Sequence, residues 1–365
     1  MPNRRQFLKD VAAASGIVFV GCGRQDVAAQ SVRSVNAPKH APVILRGRRI
    51  RTVDIHAHCA VTEATNLLKR QANRQEALPM EGQALVERMS AMDSQGIDIA
   101  VLSINPNWYD VDRDLATQII SVQNESMAQF CAEHADRFVA FASVALQFPD
   151  LAAQQLEQGM KKMGFRGAAI GCSVVGQELA DQKFHPFWAK AEELRAVIFI
   201  HPQASGDLNH RLRGNGNLGN VIWNPLETTI ALSHLIFEGT LDRFPGLKIC
   251  AAHGGGYLPS YMNRSDHGCR ISTTPCTPGV PKRSPTEYVK RMYYDSLVFT
   301  PEGLRHLAAE VGAGHIMVGA DYPYPWVSDP VEHVLKTPGL TDADREAILG
   351  GTAARFLGLA APSTR

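Results

Sequence analysis

The chain has 365 residues, 45% of them hydrophobic and 20% charged, with a formal net charge of +1. This is ordinary globular composition, and a near-neutral balance with no basic run removes the electrostatic case for a nucleic-acid partner. The seven cysteines, at 22, 59, 131, 172, 250, 269 and 276, contain no Cys-x-x-Cys pair. That spacing argues against both a zinc–thiolate site and a disulfide framework, and most of these residues read as small buried hydrophobes.

In chain order, the first feature is Asn3-Arg4-Arg5-Gln6-Phe7-Leu8-Lys9, followed by an apolar stretch from Val11 to Val20. A helix of that stretch would span only about 15 Å, half of what a bilayer core demands, so it is no transmembrane anchor. Paired arginines before a short apolar run fit a twin-arginine export signal over residues 1–30, which predicts a periplasmic protein. Val27-Ala28-Ala29 suits signal-peptidase cleavage, while Gly21-Cys22 offers a lipidation site at Cys22. Residues 31–48 then read as a polar linker, and the folded domain as residues 49–360.

From Arg51 onward, short β-rich runs alternate with amphipathic segments. The predicted strands are Arg51–His56, Ile97–Ile104, Phe138–Leu146, Phe165–Gly171, Val197–His201, Leu247–His253, Met292–Ser296 and His315–Asp321. Helical patterns fall between them at Met80–Gln95, Leu115–His134, Asp150–Met163, Pro186–Arg195, Pro225–Arg243, Pro301–Glu310 and Asp342–Leu357. Several open on Pro or Asp, as helix N-termini prefer. Near-continuous apolar strands alternating with helices predict an α/β fold with a closed parallel barrel, the (β/α)8 TIM type. An open dinucleotide-binding sheet fits less well, because Gly254-Gly255-Gly256 lacks the spacing such a turn needs. Arg264–Arg283, rich in Gly, Pro, Ser and Thr, reads as a long loop.

The polar residues fall in one place on this pattern. His56 and His58, two residues apart at the end of the first strand, point to the same side. His201 closes the fifth strand, His253 the sixth and Asp321 the eighth. In a barrel these C-terminal ends share one mouth, where functional sites lie. Three imidazoles and a carboxylate suit Zn²⁺ with one position left open, and Mn²⁺ is the alternative. Any one of these histidines alone is more often a surface or satisfied core residue, but five such residues at one end of their strands outweigh that reading. Trp108 follows the second strand, as a pocket-lining residue or an exposed aromatic turn. Asp295 ends the seventh, as a substrate contact, a hydrogen-bond acceptor behind the ligands, or an ordinary loop carboxylate.

Val53-Asp54-Ile55-His56-Ala57-His58, Ile200-His201-Pro202, Ala252-His253-Gly254-Gly255-Gly256 and Gly319-Ala320-Asp321-Tyr322-Pro323 resemble the motifs of the amidohydrolase-related family. Within it the likeness is strongest to aminocarboxymuconate-semialdehyde and aromatic-acid decarboxylases. It runs from Val53 to Leu359 and includes Val101-Leu102-Ser103, Pro225-x-Glu227-Thr228-Thr229, Phe244-Pro245-x-Leu247-Lys248, Tyr294-Asp295 and Ala353-Ala354-x-Phe356-Leu357-Gly358-Leu359. The resemblance implies His56, His58, His201 and Asp321 as ligands of one divalent ion, with His253 as the base that activates bound water. It also implies that Arg264 reaches into a neighbouring subunit's site, and hence a homodimer. The fourth strand ends Ala168-Ala169-Ile170-Gly171-Cys172-Ser173, without the lysine that bridges two ions in many amidohydrolases, so one ion is expected.

Two departures concern the substrate. The family's tryptophans before the Pro-x-Glu-Thr-Thr motif are replaced by Asn215-Gly216-Asn217-Leu218-Gly219-Asn220, with Trp223 nearby. The arginine expected after the first strand has only Arg70 or Arg74 as counterparts. The expectation is therefore a carboxy-lyase of an unsaturated or aromatic carboxylic acid, with no particular substrate assigned. The alternative is a hydrolase of a lactone, amide or related bond using the same site. A binding protein that lost turnover is disfavoured, since all five metal and base residues are present.

Overall fold

The computed structural model describes residues 40–68, 78–203, 211–271, 276 and 280–360. The expected export signal, Cys22 and the candidate arginines Arg70 and Arg74 lie outside them. Among the described residues, no helix is long and apolar enough to cross a membrane.

Eight parallel strands form the frame: β1 Val53–His58, β2 Ile99–Ser103, β3 Phe138–Ala140, β4 Gly167–Gly171, β5 Val197–His201, β6 Lys248–Ala251, β7 Tyr293–Asp295 and β8 Ile316–Met317. β1, β2 and β3 make one ladder and β4 to β8 another. Single bridges join the two ladders, Ala142 to Ala168 on one side and Asp54 to Val318 and Ala57 to Tyr322 on the other. The ring is thereby closed, and the predicted TIM barrel is the observed fold.

Several strands are shorter than their β-rich runs, and the backbone hydrogen bonds show why. In the predicted Phe138–Leu146 strand, regular pairing stops at Ala140. The Ser143 N–H donates to Asn124 Oδ1 and the Ala145 N–H to Gln155 Oε1, so helix side chains capture the donors a longer ladder would use. Past β8, the chain keeps only isolated contacts with β1: Ile55 N–H to Val318 O, Asp321 N–H to His56 O and His58 N–H to Tyr322 O.

The outer layer includes α1 Gly82–Gln95, α2 Arg113–Glu133, α3 Pro149–Lys162, α4 His185–Glu193, α5 Asn224–Phe237, α6 Leu258–Ile271 and α7 Pro301–Val311. Proline stands in the first turn of α3, α4, α5 and α7, and Asp112 and Thr300 cap α2 and α7 through their side chains. The predicted Pro225–Arg243 helix breaks after Phe237, because Gly239 turns left-handed (φ 78°) before a short Thr240–Arg243 turn.

Two apolar layers hold the frame. Inside the barrel, Val53, Ile55, Val101, Phe141, Phe199, Cys250 and Met317 pack together, with Phe356 and Leu357 among them. The second layer lies between strands and helices and contains Leu102, Ile198, Trp188, Leu235 and Tyr294. Each large side chain so buried contributes roughly 1.5–3 kcal/mol of transfer free energy.

Three expectations change. Arg264–Ile271, expected as loop, continues α6, whose far end is pinned where Asp266 accepts from the Thr286 N–H and hydroxyl. Residues 40–48, expected as linker, carry Ile44–Leu45 and Arg48 of an antiparallel hairpin that closes at Arg49, with Val43 buried. Cys269 and Cys276 are joined by a disulfide, while Cys59, Cys172 and Cys250 are free and buried as expected.

Candidate metal centre

The strands bring four predicted residues to one point. His56, His58, His201 and Asp321 are all buried, and one ligand atom from each lies within 4.8 Å of the others. β1 supplies the histidine pair and β5 supplies His201. The turn after β8 supplies Asp321 in a left-handed conformation (φ 56°). An aspartate tolerates that conformation better than most residues, yet at a cost that surrounding structure must offset.

The polar atoms make little sense without a cation. His56 Nε2 and His58 Nε2 face each other at 3.0 Å, and lie 3.1 and 2.9 Å from Asp321 Oδ1. Those carboxylate contacts do not have hydrogen-bond geometry: Asp321 Oδ1 has no hydrogen-bond partner among the described residues, and neither nitrogen of His201 has one. Orphaned buried polar atoms are costly and rare. Three imidazoles and one carboxylate turned toward one another, with unused lone pairs, fit a divalent ion.

Asp295, at the end of β7, arranges these groups. One oxygen accepts from His56 Nδ1 at 2.7 Å and the His253 N–H at 2.9 Å, the other from the N–H groups of Gly254 and Leu297. A proton held on His56 Nδ1 leaves Nε2 as the free donor atom, the tautomer a metal requires. Asp295 is fully buried and spends both oxygens on protein donors, so it does not present itself to substrate as one reading of the sequence had it. It is the acceptor behind the ligands.

The charges follow from burial and proximity. Burial pulls the His56 imidazole down, but Asp321 and Asp295 override it and lift it to about 10. His58 is driven down to about 4, mainly by burial against the partial help of Asp321, and His201 falls well below its ordinary value through burial and its histidine neighbours. Burial pushes Asp321 upward, yet the facing imidazoles hold it well below the usual carboxylate range. The metal-free cluster thus keeps a protonated His56 beside ionised Asp321.

His253 stands beside this group rather than within it. Its ring centroid is 5.2 Å from those of His56 and His201, its Nε2 is 3.6 Å from Asp321 Oδ2, and its side chain keeps 13% exposure. The glycines after it set that position. A Cβ at Gly256 would fall 2.0 Å from the Pro225 carbonyl and one at Gly255 2.6 Å from the Tyr294 ring, and both have positive φ. The chain can turn back into α6 only with glycine there.

The remaining candidates separate. Trp108 is fully buried, its indole N–H donates to Val144 O, and it belongs to the strand–helix core, so it is not the exposed aromatic of one reading. Arg264 is exposed on α6 and does not join the cluster. At the end of β4 stands Gly171, with Gln203 Oε1 2.3 Å from where a Cβ would fall, and no bridging lysine is present at that strand end. Sequence reasoning missed Tyr324, whose ring meets that of His58 edge-on at 5.6 Å, and Ser103, 3.3 Å from His58 Nδ1. It also missed Arg88, which donates to the His58 carbonyl. Arg88 had a visible signal, a charge in the apolar register Leu85–Met89–Met92 of its helix.

Fold and site together define a barrel enzyme with a buried divalent-metal centre at the C-terminal mouth. The sequence profile of the amidohydrolase family matches residues 53–359, and the chain belongs to that family. It is 30% identical over 281 residues to 2-amino-3-carboxymuconate-6-semialdehyde decarboxylase of Dictyostelium discoideum, covering 74% of this chain and 76% of that one. Its structure superposes on 5-carboxyvanillate decarboxylase of Sphingomonas paucimobilis with a TM-score of 0.76, at 25% identity, over 86% of this chain and all of that one. It likewise matches a dihydroxybenzoic acid decarboxylase of Polaromonas, solved with bound manganese and 2-nitroresorcinol. There the TM-score is 0.72 at 26% identity, over 85% and 97% of the two chains.

Proposed function

We propose that this protein is a metal-dependent, non-oxidative decarboxylase of an aromatic or unsaturated carboxylic acid. The carrying observation is the convergence of four buried ligand atoms within 4.8 Å beside a partly exposed His253, in a chain whose relatives named above are all decarboxylases.

In this reading His56, His58, His201 and Asp321 hold one divalent ion, and a bound ion would supply Lewis acidity toward a substrate oxygen. The donor set favours zinc, while the manganese in the Polaromonas relative supports manganese, and metal analysis of protein from its native host distinguishes them. His253 moves the proton. Its protonated imidazole delivers H⁺ to the carbon that bears the carboxylate, whose π pair forms the new C–H bond; the C–C bond then breaks and its electron pair restores the π bond as CO₂ leaves. Asp295 fixes both the ring of His56 and the backbone of His253, so ligand and proton donor keep one relative position.

Three further features belong to the proposal. Tyr257, Tyr261 and Ile271 form an exposed apolar stripe on and beside α6 together with Arg264, which supports a homodimer burying that helix. The Cys269–Cys276 disulfide suits an oxidising compartment and so supports export to the periplasm. The substrate contacts assigned to Arg264 require that dimer.

The test is to incubate purified zinc- or manganese-loaded protein with a panel of hydroxybenzoic acids, muconate-type acids and lactones. Stoichiometric CO₂ release with ring and ester bonds intact is expected. Hydrolysis of lactones without CO₂ would replace this reading with the hydrolase one.

A further inference from the structure

Arg88 sits on α1 with 1% exposure, facing the junction where the first strand meets the turn after the last. Its Nη2 donates to the His58 carbonyl at 2.6 Å, and its guanidinium carbon lies 4.6 Å over the ring of Tyr322. The His58 N–H in turn donates to the Tyr322 carbonyl at 2.6 Å. A closed triangle results, from guanidinium to His58 carbonyl, across the His58 N–H to Tyr322, and from the Tyr322 ring back to the guanidinium. His58 is one of the four clustered residues, and Tyr322 directly follows another, Asp321.

This is an expensive way to hold a fold. Among the described residues, Arg88 Nε and Nη1 have no hydrogen-bond partner. A buried arginine with one hydrogen bond and a ring contact costs more than a well-packed apolar side chain of similar length, and replacing such charges is often neutral or stabilising. The β1–β8 seam is closed by two bridges and three backbone hydrogen bonds, fewer pairings than the β4–β5 and β5–β6 ladders have. His58 and Asp321 stand on opposite sides of this short seam, and a side-chain tie across it adds to the backbone bonds that keep their donor atoms within coordination distance.

We propose that Arg88 is a positioning residue for the metal centre, clamping His58 and Tyr322 so that the donor atoms of His58 and Asp321 are held in register across the barrel seam. The proposal rests on the metal reading above. Clamping and charge act in opposite directions. A buried cation close to the site repels a divalent ion, whereas a clamp improves its ligands, so the sign of the effect on metal affinity identifies which role governs.

The experiment compares wild type, Arg88→Met and Arg88→Lys, each stripped of metal and titrated with Mn²⁺ against a competing chelator. Urea unfolding of the metal-free proteins is measured alongside. For Arg88→Met, Mn²⁺ affinity is expected to fall about 10- to 100-fold, the range for outer partners of metal ligands, while the metal-free urea midpoint stays level or rises. Arg88→Lys, which keeps the charge and a donor but not the planar stack on Tyr322, is expected to lose less. Affinity within twofold of wild type, or tighter, in Arg88→Met overturns the proposal, and so does an affinity loss matched by an equally large fall in the metal-free midpoint. If Arg88→Met does not fold, the Lys variant decides: weakened binding with an unchanged midpoint supports the clamp, and unchanged affinity refutes it. A wild type that binds no ion at one per chain would instead refute the metal reading itself.

Discussion

The same eight strands end in two very different environments. Toward the floor their inward side chains are Val53, Val101, Phe199 and Met317, buried, apolar and packed with Phe356 and Leu357. At the mouth, a few residues further along, they present imidazoles and carboxylates with orphaned nitrogens, and two residues there, His253 and Asp321, adopt positive φ. The floor follows the ordinary rule that buried groups are apolar or satisfied. The mouth breaks it, holding polar atoms unpaired where a bound ion would satisfy them, on backbone that is strained. Strain and unsatisfied atoms concentrated at one end of a well-packed barrel mark where stability has been exchanged for chemistry.

The sharpest way to break that contrast is at His253. Its replacement by alanine should lower turnover about 10²- to 10⁴-fold, the scale of a lost proton-transfer group, with metal content near one per chain. Metal analysis and initial rates check this together, and near-normal turnover would remove His253 from its role. At the floor, Phe141→Ala should do the reverse. Phe141 is fully buried and stacked against Phe199, so about 3–5 kcal/mol of stability should be lost in urea unfolding, with metal stoichiometry kept in the folded protein.

The smallest effect is on pH. In the metal-free protein His58 is held near 4 and His201 well below its ordinary 6.5, so the unfolded chain takes up protons that the folded one does not as pH falls below 6.5. Their contribution, full above pH 6.5, should disappear as pH falls toward 4. His56, raised to about 10, acts oppositely: its contribution is full below 6.5 and lost as pH rises through 10. Urea midpoints of metal-free protein should therefore decline on both sides of neutrality. A midpoint flat from pH 7 to 4.5 would contradict the placement of His58 and His201.

The sequence by itself determined the barrel, the location of its strands and the identity of the four converging residues. Apolar periodicity reports strands and helices directly, and a histidine or aspartate at the end of each of several strands can only face the shared mouth. Tertiary structure alone decided how those residues are held. Asp295 could be a loop carboxylate until His56 Nδ1 and the His253 N–H were seen to share one of its oxygens. Arg88 is thirty residues from His58 in the chain and touches it only because α1 packs at the β1–β8 seam. The early end of β3 likewise depends on Asn124 and Gln155 reaching in from neighbouring helices. Periodicity is a property of the local chain, whereas a hydrogen bond between distant segments exists only once the whole chain has closed on itself.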